Sequence, residues 1–176
     1  MRIRPHARTD ADRIADILAA GWQQAYAHFM PPTFLAPRID PAYRRSEIAD
    51  WLDTDFDPAT EALFVAEDDG TITGFIHMEL GDKGDVGATG HVSLLYVDPG
   101  LQRRGTGRAL MSGGASWLLS RAPGPLALSA FADNAHRFAY NALGGLEAKR
   151  LKPVIDGAEV EAVIYLWPDP AVLMLA

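Results

Sequence analysis

The chain of 176 residues carries a formal net charge of −7, has 48% hydrophobic and 22% charged residues, and contains no cysteine. This length and composition predict one soluble globular domain over residues 1–176. The lack of cysteine excludes disulfides, cysteine-ligated metals and a covalent cysteine intermediate, and the negative charge argues against nucleic acid as a partner.

No apolar run reaches the roughly 18 residues that a membrane span requires, so no membrane partner is expected. The first residues, "MRIRPHARTDAD", are charged and lead into no apolar stretch. We therefore expect no secretory signal, and these features favour the cytoplasm.

Periodicity and turn signals predict a chain in which strands and helices are interspersed. The first helix has apolar residues at helical spacing from Ile14 to Phe29 and stops at the prolines of "MPPTFLAPR". Asp-Gly pairs at 69–70 and 156–157 mark hairpin turns. Further elements are predicted as strands over 2–5, 91–97 and 125–131, hairpins over 62–80 and 146–167, and helices over 41–54, 104–122 and 133–143. This order predicts helices that cover a largely antiparallel sheet.

The segment "QRRGTGR", residues 102–108, lies between a predicted strand and a predicted helix. A helix N-terminus offers unpaired N–H groups and a partial positive charge, glycine lets an anion approach the backbone, and arginine adds directional donors. The segment therefore predicts a pyrophosphate cradle. It lacks the lysine and spacing of a P-loop, and Leu110 stands where a dinucleotide-binding fingerprint has its third small residue.

Residues 102–107 satisfy the pattern Q/R-x-x-G-x-G/A, with Tyr96-Val97-x-Pro99 before it and Ala109-Leu110 after it. This combination resembles the acetyl-coenzyme A loop of the GNAT superfamily of acyltransferases, and the order of elements is similar to that family's. The resemblance implies a GNAT-like α/β (α+β) fold with a mixed, mostly antiparallel central sheet of about seven strands and about four flanking helices.

The resemblance also implies an acetyl-CoA-dependent N-acetyltransferase that acts on a primary amine. In the family, the helix N-terminus binds the pyrophosphate and the preceding strand binds the pantetheine arm. The implied acetyl-CoA contacts are Leu95, Tyr96, Val97, Gln102, Arg103, Arg104, Gly105, Thr106, Gly107, Arg108 and Asn134. Without cysteine, we expect direct attack in a ternary complex. No metal is expected, because the histidines show no metal-ligand spacing.

The general acid of the family is commonly a tyrosine within N-x-x-A-x-x-F-Y-x-x-L-G, and this chain reads "DNAHRFAYNALGG". Counted back from Leu143, the tyrosine position is Tyr140, but counted forward from Asn134 it is Asn141. If Asp133 caps the helix instead, Tyr140 keeps its phase. The alternative role for Tyr140 is packing in the core.

The base in many GNAT enzymes is a glutamate on the strand before the loop. His91 lies on that strand, fourteen positions before Gly105, where some members carry the glutamate. A histidine with a pKa near ~6.5 suits proton abstraction. A purely structural role is the alternative for His91, and Glu79 on the neighbouring strand is the second candidate base.

Trp22 and Tyr26 lie four residues apart on one helical face and are expected either to border the acceptor site or to belong to the core. The expected partner is a small-molecule or peptide amine, whose identity the sequence leaves open, and a homodimer is compatible with the sequence. A non-catalytic acyl-CoA-binding or sensing domain of the same fold is the alternative function, because the shifted helix "DNAHRFAY" puts the acid in question.

Overall fold

The computed structural model describes residues 1–174. Within that range the strands are β1 (Arg2–Pro5), β2 (Glu61–Asp68), β3 (Thr71–Leu80), β4 (Gly90–Val97), β5 (Leu126–Phe131), β6 (Leu146–Leu151), β7 (Val154–Ile155), β8 (Ala158–Glu159) and β9 (Ala162–Trp167). The helices are α1 (Ala11–Tyr26), α2 (Pro32–Leu35), α3 (Pro41–Thr54), α4 (Thr106–Arg121) and α5 (Phe138–Ala142). None of the helices in this range combines the length and apolar character of a membrane span.

Seven of the strands form one sheet in the order β1-β2-β3-β4-β5-β9-β6. Its neighbouring strands are antiparallel except for β4 and β5, which are parallel and are connected through α4, as a parallel pair requires. The prediction of a mixed α/β fold with a mostly antiparallel sheet of seven strands is thereby confirmed.

Helices cover both faces of the sheet, and its central strands are therefore apolar along most of their length. Phe75 of β3 faces α1, and Ile76 faces α4, as the alternation of a strand requires. The face under α4 buries Met78, Val92, Leu110, Met111, Leu118 and Trp167. The opposite face, covered by α1 and α3, buries Ile14, Ile17, Leu18, Ile48, Leu63 and Val65.

Both predicted Asp-Gly turns are present, with left-handed φ values of +48° and +76° at 69–70 and of +46° and +80° at 156–157. The second turn closes a smaller hairpin than predicted. It joins β7 to β8, which form a separate two-stranded sheet, while β6 pairs with β9 in the main sheet. Pro153 lies at the break between β6 and β7, where its missing N–H cannot contribute to a ladder.

The proline-rich segment after α1 is more regular than predicted. It forms α2 and a 3-10 turn over Ala36–Ile39 before α3 begins. α3 starts as its sequence predicts, because the Asp40 carboxylate accepts a hydrogen bond from the N–H of Ala42 at 2.8 Å and Pro41 is the first helical residue. The segment after α1 thus turns the chain back across the same face of the sheet.

Gly74 of β3 lies where β4 and α4 pack closely. A Cβ atom there would be 2.8 Å from the backbone oxygen of Tyr96 and 3.1 Å from Cδ1 of Leu110. Because a close-packed interior resists such insertions, we expect Gly74→Ala to lower the free energy of unfolding by roughly 1–3 kcal/mol. Gly107→Ala, whose new Cβ has its nearest neighbour at 3.8 Å, is the control. Equal urea midpoints for Gly74→Ala and the wild type would contradict this account.

Candidate functional site

The candidate site begins at a β-bulge in β4. His77 and Met78 of β3 pair with Leu94 and Val92, so Ser93 is the extra residue between them. A bulge bends its strand and increases the local twist. The parallel pairing of β4 with β5 extends only from Gly90 to Val92. The sheet therefore opens directly after the bulge.

A cavity of about 500 Å³ lies in this opening, within the size range of ligand-binding sites. Its walls come from α1, β4, β5, the start of α4, and α5 with the segment that leads into it. The predicted acetyl-CoA contacts that line it are Leu95, Tyr96, Val97, Gln102, Arg103, Gly105, Thr106, Gly107 and Asn134. The other two predicted contacts are exposed elsewhere: Arg104 lies on the loop surface, and Arg108 lines a shallow groove on the outer face of α4.

The N-terminus of α4 has the geometry of an anion cradle. Arg103 and Gly105 have φ values of +64° and +81°, so the chain turns through two left-handed residues before the helix begins. The N–H of Ala109 donates to the oxygen of Gly105 at 3.0 Å, and the N–H groups before it in the turn have no intrahelical partner. Space above Gly107 is open, because an added Cβ would meet only Val97, at 3.8 Å. The turn thus presents N–H donors and a partial positive charge to the cavity.

The cradle loop is attached to α1 by polar contacts that the sequence did not reveal. Gln102 donates from Nε2 to Oε1 of Gln24 at 2.8 Å, and both side chains line the cavity. Arg13 forms an ion pair with Asp98. Asp98 also accepts a hydrogen bond from the N–H of Gly100 at 2.9 Å. Helix α1 therefore holds the loop in place from the opposite side of the cavity.

Tyr140 lines the cavity, whereas Asn141 is exposed and donates from Nδ2 to the oxygen of Gly145 at 3.4 Å. The Tyr140 ring packs against Tyr165 and Trp167, with centroid distances of 5.4 and 6.5 Å. Burial raises the pKa of the Tyr140 phenol well above its usual value, so the hydroxyl keeps its proton at neutral pH. Tyr140 therefore lies at the cavity in its protonated form, and the raised pKa makes this phenol a weaker acid than a free tyrosine.

The cap before α5 is Asn134 and not Asp133. Its Oδ1 accepts a hydrogen bond from the N–H of His136 at 2.9 Å, and residues Ala135–Arg137 form a 3-10 turn before α5 begins. A residue in a 3-10 turn rotates the chain by about 120° around the helix axis, compared with about 100° in an α-helix. Tyr140 comes one residue earlier than the pattern counted from Asn134 requires, and the 3-10 turn supplies part of the rotation that this residue would have given. This turn explains why Tyr140 faces the cavity although counting from Asn134 points to Asn141.

Residues 22–144 match the family model described as the Acetyltransferase (GNAT) family. The chain belongs to this family. The match covers more than two thirds of the sequence, including the bulge, the cradle and α5. The resemblance of the loop to that of GNAT acyltransferases is thereby confirmed. No curated protein is significantly similar in sequence.

Solved structures show the same fold at low sequence identity. The GCN5-related N-acetyltransferase from Rhodopseudomonas palustris has a TM-score of 0.71 at 21% identity, over 95% of this chain and 94% of that chain. YncA from Salmonella typhimurium, with its cofactor acetyl-CoA, has a TM-score of 0.68 at 18% identity, over 96% and 93%. The PaiA N-acetyltransferase from Thermoplasma acidophilum, in complex with coenzyme A, has a TM-score of 0.64 at 16% identity, over 92% and 96%.

The two candidate bases of this GNAT chain are cross-strand neighbours that lie behind the cavity wall. His91 of β4 pairs with Glu79 of β3, so their side chains share a face of the sheet. His91 is 7% exposed, and its Nδ1 has no hydrogen-bond partner among residues 1–174. Burial lowers the pKa of His91, which favours a neutral ring with a free acceptor nitrogen.

Ser93 is a further site residue that the sequence did not indicate. It lines the cavity, and its hydroxyl donates to the carboxylate of Glu79. The other carboxylate oxygen of Glu79 accepts from the ammonium group of Lys83. Glu79 is thus connected to the cavity through Ser93.

A second polar pair lies next to Glu79 and joins β3 to the start of β2. His77 Nε2 lies 2.8 Å from Oε2 of Glu61, and burial lowers the pKa of His77. Donor atoms of Glu61, His77 and Glu79 lie within 4.8 Å of one another, which is the kind of spacing that a metal ion needs. Both oxygens of Glu79 accept hydrogen bonds from protein groups, and Glu61 bonds to His77.

The two predicted acceptor-site residues have different positions in this GNAT fold. Tyr26 lines the cavity, with its hydroxyl oxygen 3.5 Å from that of Tyr96 and its ring 5.5 Å from that of Phe131. Trp22 packs behind Tyr26 at a centroid distance of 4.6 Å, and the guanidinium group of Arg38 lies 5.5 Å from the Trp22 ring. Trp22 therefore supports the wall that Tyr26 forms.

Burial of neutral His91 makes stability depend on pH. The pKa of His91 is lower in the folded chain than in the unfolded chain, so as the pH falls the unfolded chain is protonated at this histidine first. The contribution of His91 to the free energy of unfolding is therefore complete above about pH 6.5 and is lost as the pH falls below that value. In urea unfolding between about pH 6.5 and pH 5, we expect the unfolding free energy of His91→Gln to fall less steeply with pH than that of the wild type. One histidine can contribute at most ~1.4 kcal/mol per pH unit to this slope.

The exposed His28→Gln is the matched control and should keep the wild-type pH slope. Burial also lowers the pKa of His6 and of His77, so His91→Gln should retain part of the slope. A slope for His91→Gln identical to that of the wild type would show that His91 is not held neutral by the fold.

Proposed function

We propose that this GNAT protein is an acetyl-CoA-dependent N-acetyltransferase that moves the acetyl group to a primary amine of a small molecule or peptide. The observation that carries the proposal is that three features face one cavity: the N-terminus of α4, the strand edge of β4 after the bulge, and the phenol of Tyr140. The first two suit a phosphorylated, amide-containing cofactor, and the third suits protonation of a leaving group.

Acetyl-CoA would be held mainly by backbone groups. The first turn of α4, from Thr106 to Arg108, offers N–H donors to the pyrophosphate, and the Arg103 side chain adds a positive charge at the cavity wall. The edge of β4 from Leu95 to Val97 lines the cavity beyond the end of its pairing with β5. Its N–H and C=O groups would pair with the amides of the pantetheine arm as a neighbouring strand would.

The nitrogen of an alkylammonium acceptor must lose two protons, one before and one after attack, and the sulfur must gain one. An alkylamine has a pKa near ~10.4 and must lose a proton before its lone pair can attack the thioester carbon. Either Glu79 or His91, which lie behind the β4 wall of the cavity, would accept that first proton. As the C–S bond breaks, the Tyr140 hydroxyl would protonate the thiolate, and the second proton lost by the nitrogen would restore that hydroxyl. The acetyl group passes directly from sulfur to nitrogen, because the chain has no cysteine to carry it.

A non-catalytic acyl-CoA-binding or sensing domain is the second candidate. It is favoured by the position of His91 and Glu79, which lie behind the cavity wall rather than in it. Such a domain would bind acetyl-CoA in the same cradle without transferring the acetyl group.

A panel of amines incubated with acetyl-CoA separates the two candidates. We expect thiol release with at least one of the polyamines, amino acids, aminoglycosides or peptide N-termini. Gly107→Val, which places a branched side chain over the open cradle, should abolish both release and calorimetric binding of acetyl-CoA, whereas Ser112→Val on the outer face of α4 should not. Tight binding with no release from any amine would favour the sensing domain, and the absence of both would contradict the cradle.

Tyr140→Phe tests the proton donor, because it removes the hydroxyl and keeps the ring that packs on Tyr165 and Trp167. We expect kcat to fall by roughly tenfold to a hundredfold, at or below the lower limit of the range for general acid catalysis, since a thiolate is a good leaving group. Acetyl-CoA affinity measured by calorimetry should change little. Asn141→Ala is the control and should keep the wild-type kcat; the reverse pattern would assign the role to Asn141.

A further inference from the structure

Ser93 occupies a position that no regular strand residue has. In β4, Val92, Leu95 and Val97 pack toward α4, whereas Leu94 and Tyr96 pack toward α1. The bulge is where this alternation changes phase, so Ser93 has no cross-strand partner in β3. Its side chain can therefore line the cavity and also bond to Glu79 on the face that His91 shares.

The surroundings of Glu79 leave Ser93 as its connection to the cavity. Glu61 of β2 and His91 of β4 lie directly opposite Glu79 on its two sides, and His77 lies two residues before it in β3. Lys83, in the loop after β3, approaches from the solvent side with its side chain 49% exposed. The carboxylate thus lies between a solvent-facing lysine and a hydroxyl at the cavity wall.

We propose that Ser93 is a catalytic residue that passes the proton of the acceptor amine to Glu79, an inference that rests on the acetyl transfer proposed above. In the step, an N–H bond of the ammonium group breaks as its proton moves to Oγ of Ser93. The proton already on Oγ moves to the Glu79 carboxylate in the same event. The products are a neutral amine, an unchanged serine and a carboxylic acid, so charge and atoms balance.

A serine hydroxyl is too weak an acid and too weak a base to exist as an alkoxide or as an oxonium ion, so the two proton movements must be concerted. The existing hydrogen bond from Ser93 to Glu79 aligns the second movement. Ser93 is therefore needed for the first proton only, which is present when the acceptor is protonated at the working pH; the second proton, which the nitrogen loses after attack, balances the one that the thiolate gains. An amine that is already neutral needs no proton removed before attack. This dependence on the acceptor distinguishes a proton relay from a structural role.

The test compares Ser93→Ala on two acceptors of similar shape, a primary alkylamine and an alkoxyamine, which is unprotonated at neutral pH. Thiol release should fall by about a hundredfold or more for the alkylamine but by no more than about threefold for the alkoxyamine, as expected if general base catalysis is lost. Ser93→Thr keeps a hydroxyl and should recover most of the alkylamine rate. Ser129→Ala, which removes a hydroxyl from β5 at the same cavity, should affect both acceptors equally.

Equal losses for both acceptors in Ser93→Ala would assign Ser93 a structural role and overturn the relay while leaving acetyl transfer intact. Undiminished turnover of the alkylamine by Ser93→Ala would also overturn the relay alone. If the wild-type protein turns over neither acceptor nor any member of the amine panel, the proposed function fails and the relay fails with it. Unfolding midpoints of the three variants confirm that the comparison is between folded proteins.

Discussion

The end of pairing between β4 and β5 after Val92 is the constraint on which the rest of the site depends. A sheet buried on both faces normally pairs its backbone groups throughout, because an unpaired buried N–H or C=O is costly. Here the bulge at Ser93 bends β4 away and leaves a strand edge facing a cavity. An elongated ligand with its own amides can supply the missing partners. Because β4 has no β5 partner beyond Val92, the cavity wall offers a strand edge with which the amides of a ligand could pair.

The same strand also sets the electrostatics of the site. β4 ends at Val97 and the chain enters α4 at Thr106, so the positive end of a sixteen-residue helix lies at one end of the opened strand. The chain as a whole carries a charge of −7, yet local donors decide anion binding, because exposed charges farther away than a Debye length of about 8–10 Å are largely screened. Arg103 at the cavity wall reinforces the helix end. An acidic protein can thus bind a pyrophosphate.

The sequence was informative where local chemistry determines structure. The order of strands and helices, both Asp-Gly turns and the glycine-arginine loop follow from periodicity, backbone preference and helix-end electrostatics. What it could not predict depends on tertiary packing. The bulge at Ser93 has no recognisable signal in the sequence of a mostly apolar strand. The 3-10 turn that brings Tyr140 to the cavity depends on how α5 packs. Helical spacing alone does not distinguish Tyr26, which lines the cavity, from Trp22, which packs behind it. Arg104 and Arg108, which the sequence suggests as ligands, are exposed and do not line the cavity.

The most direct measurement is a coenzyme A titration of the ¹⁵N-labelled protein, followed by the amide resonances of the backbone. If the opened edge of β4 and the start of α4 receive the cofactor, the largest shifts fall on residues 93–97 and 103–108, while those of β1, at the far edge of the sheet, stay in place. Saturable shifts confined to the outer face of α4, around Ser112 and Ser116, or the absence of shifts at millimolar coenzyme A, would contradict the claim that the gap between β4 and β5 is the cofactor site.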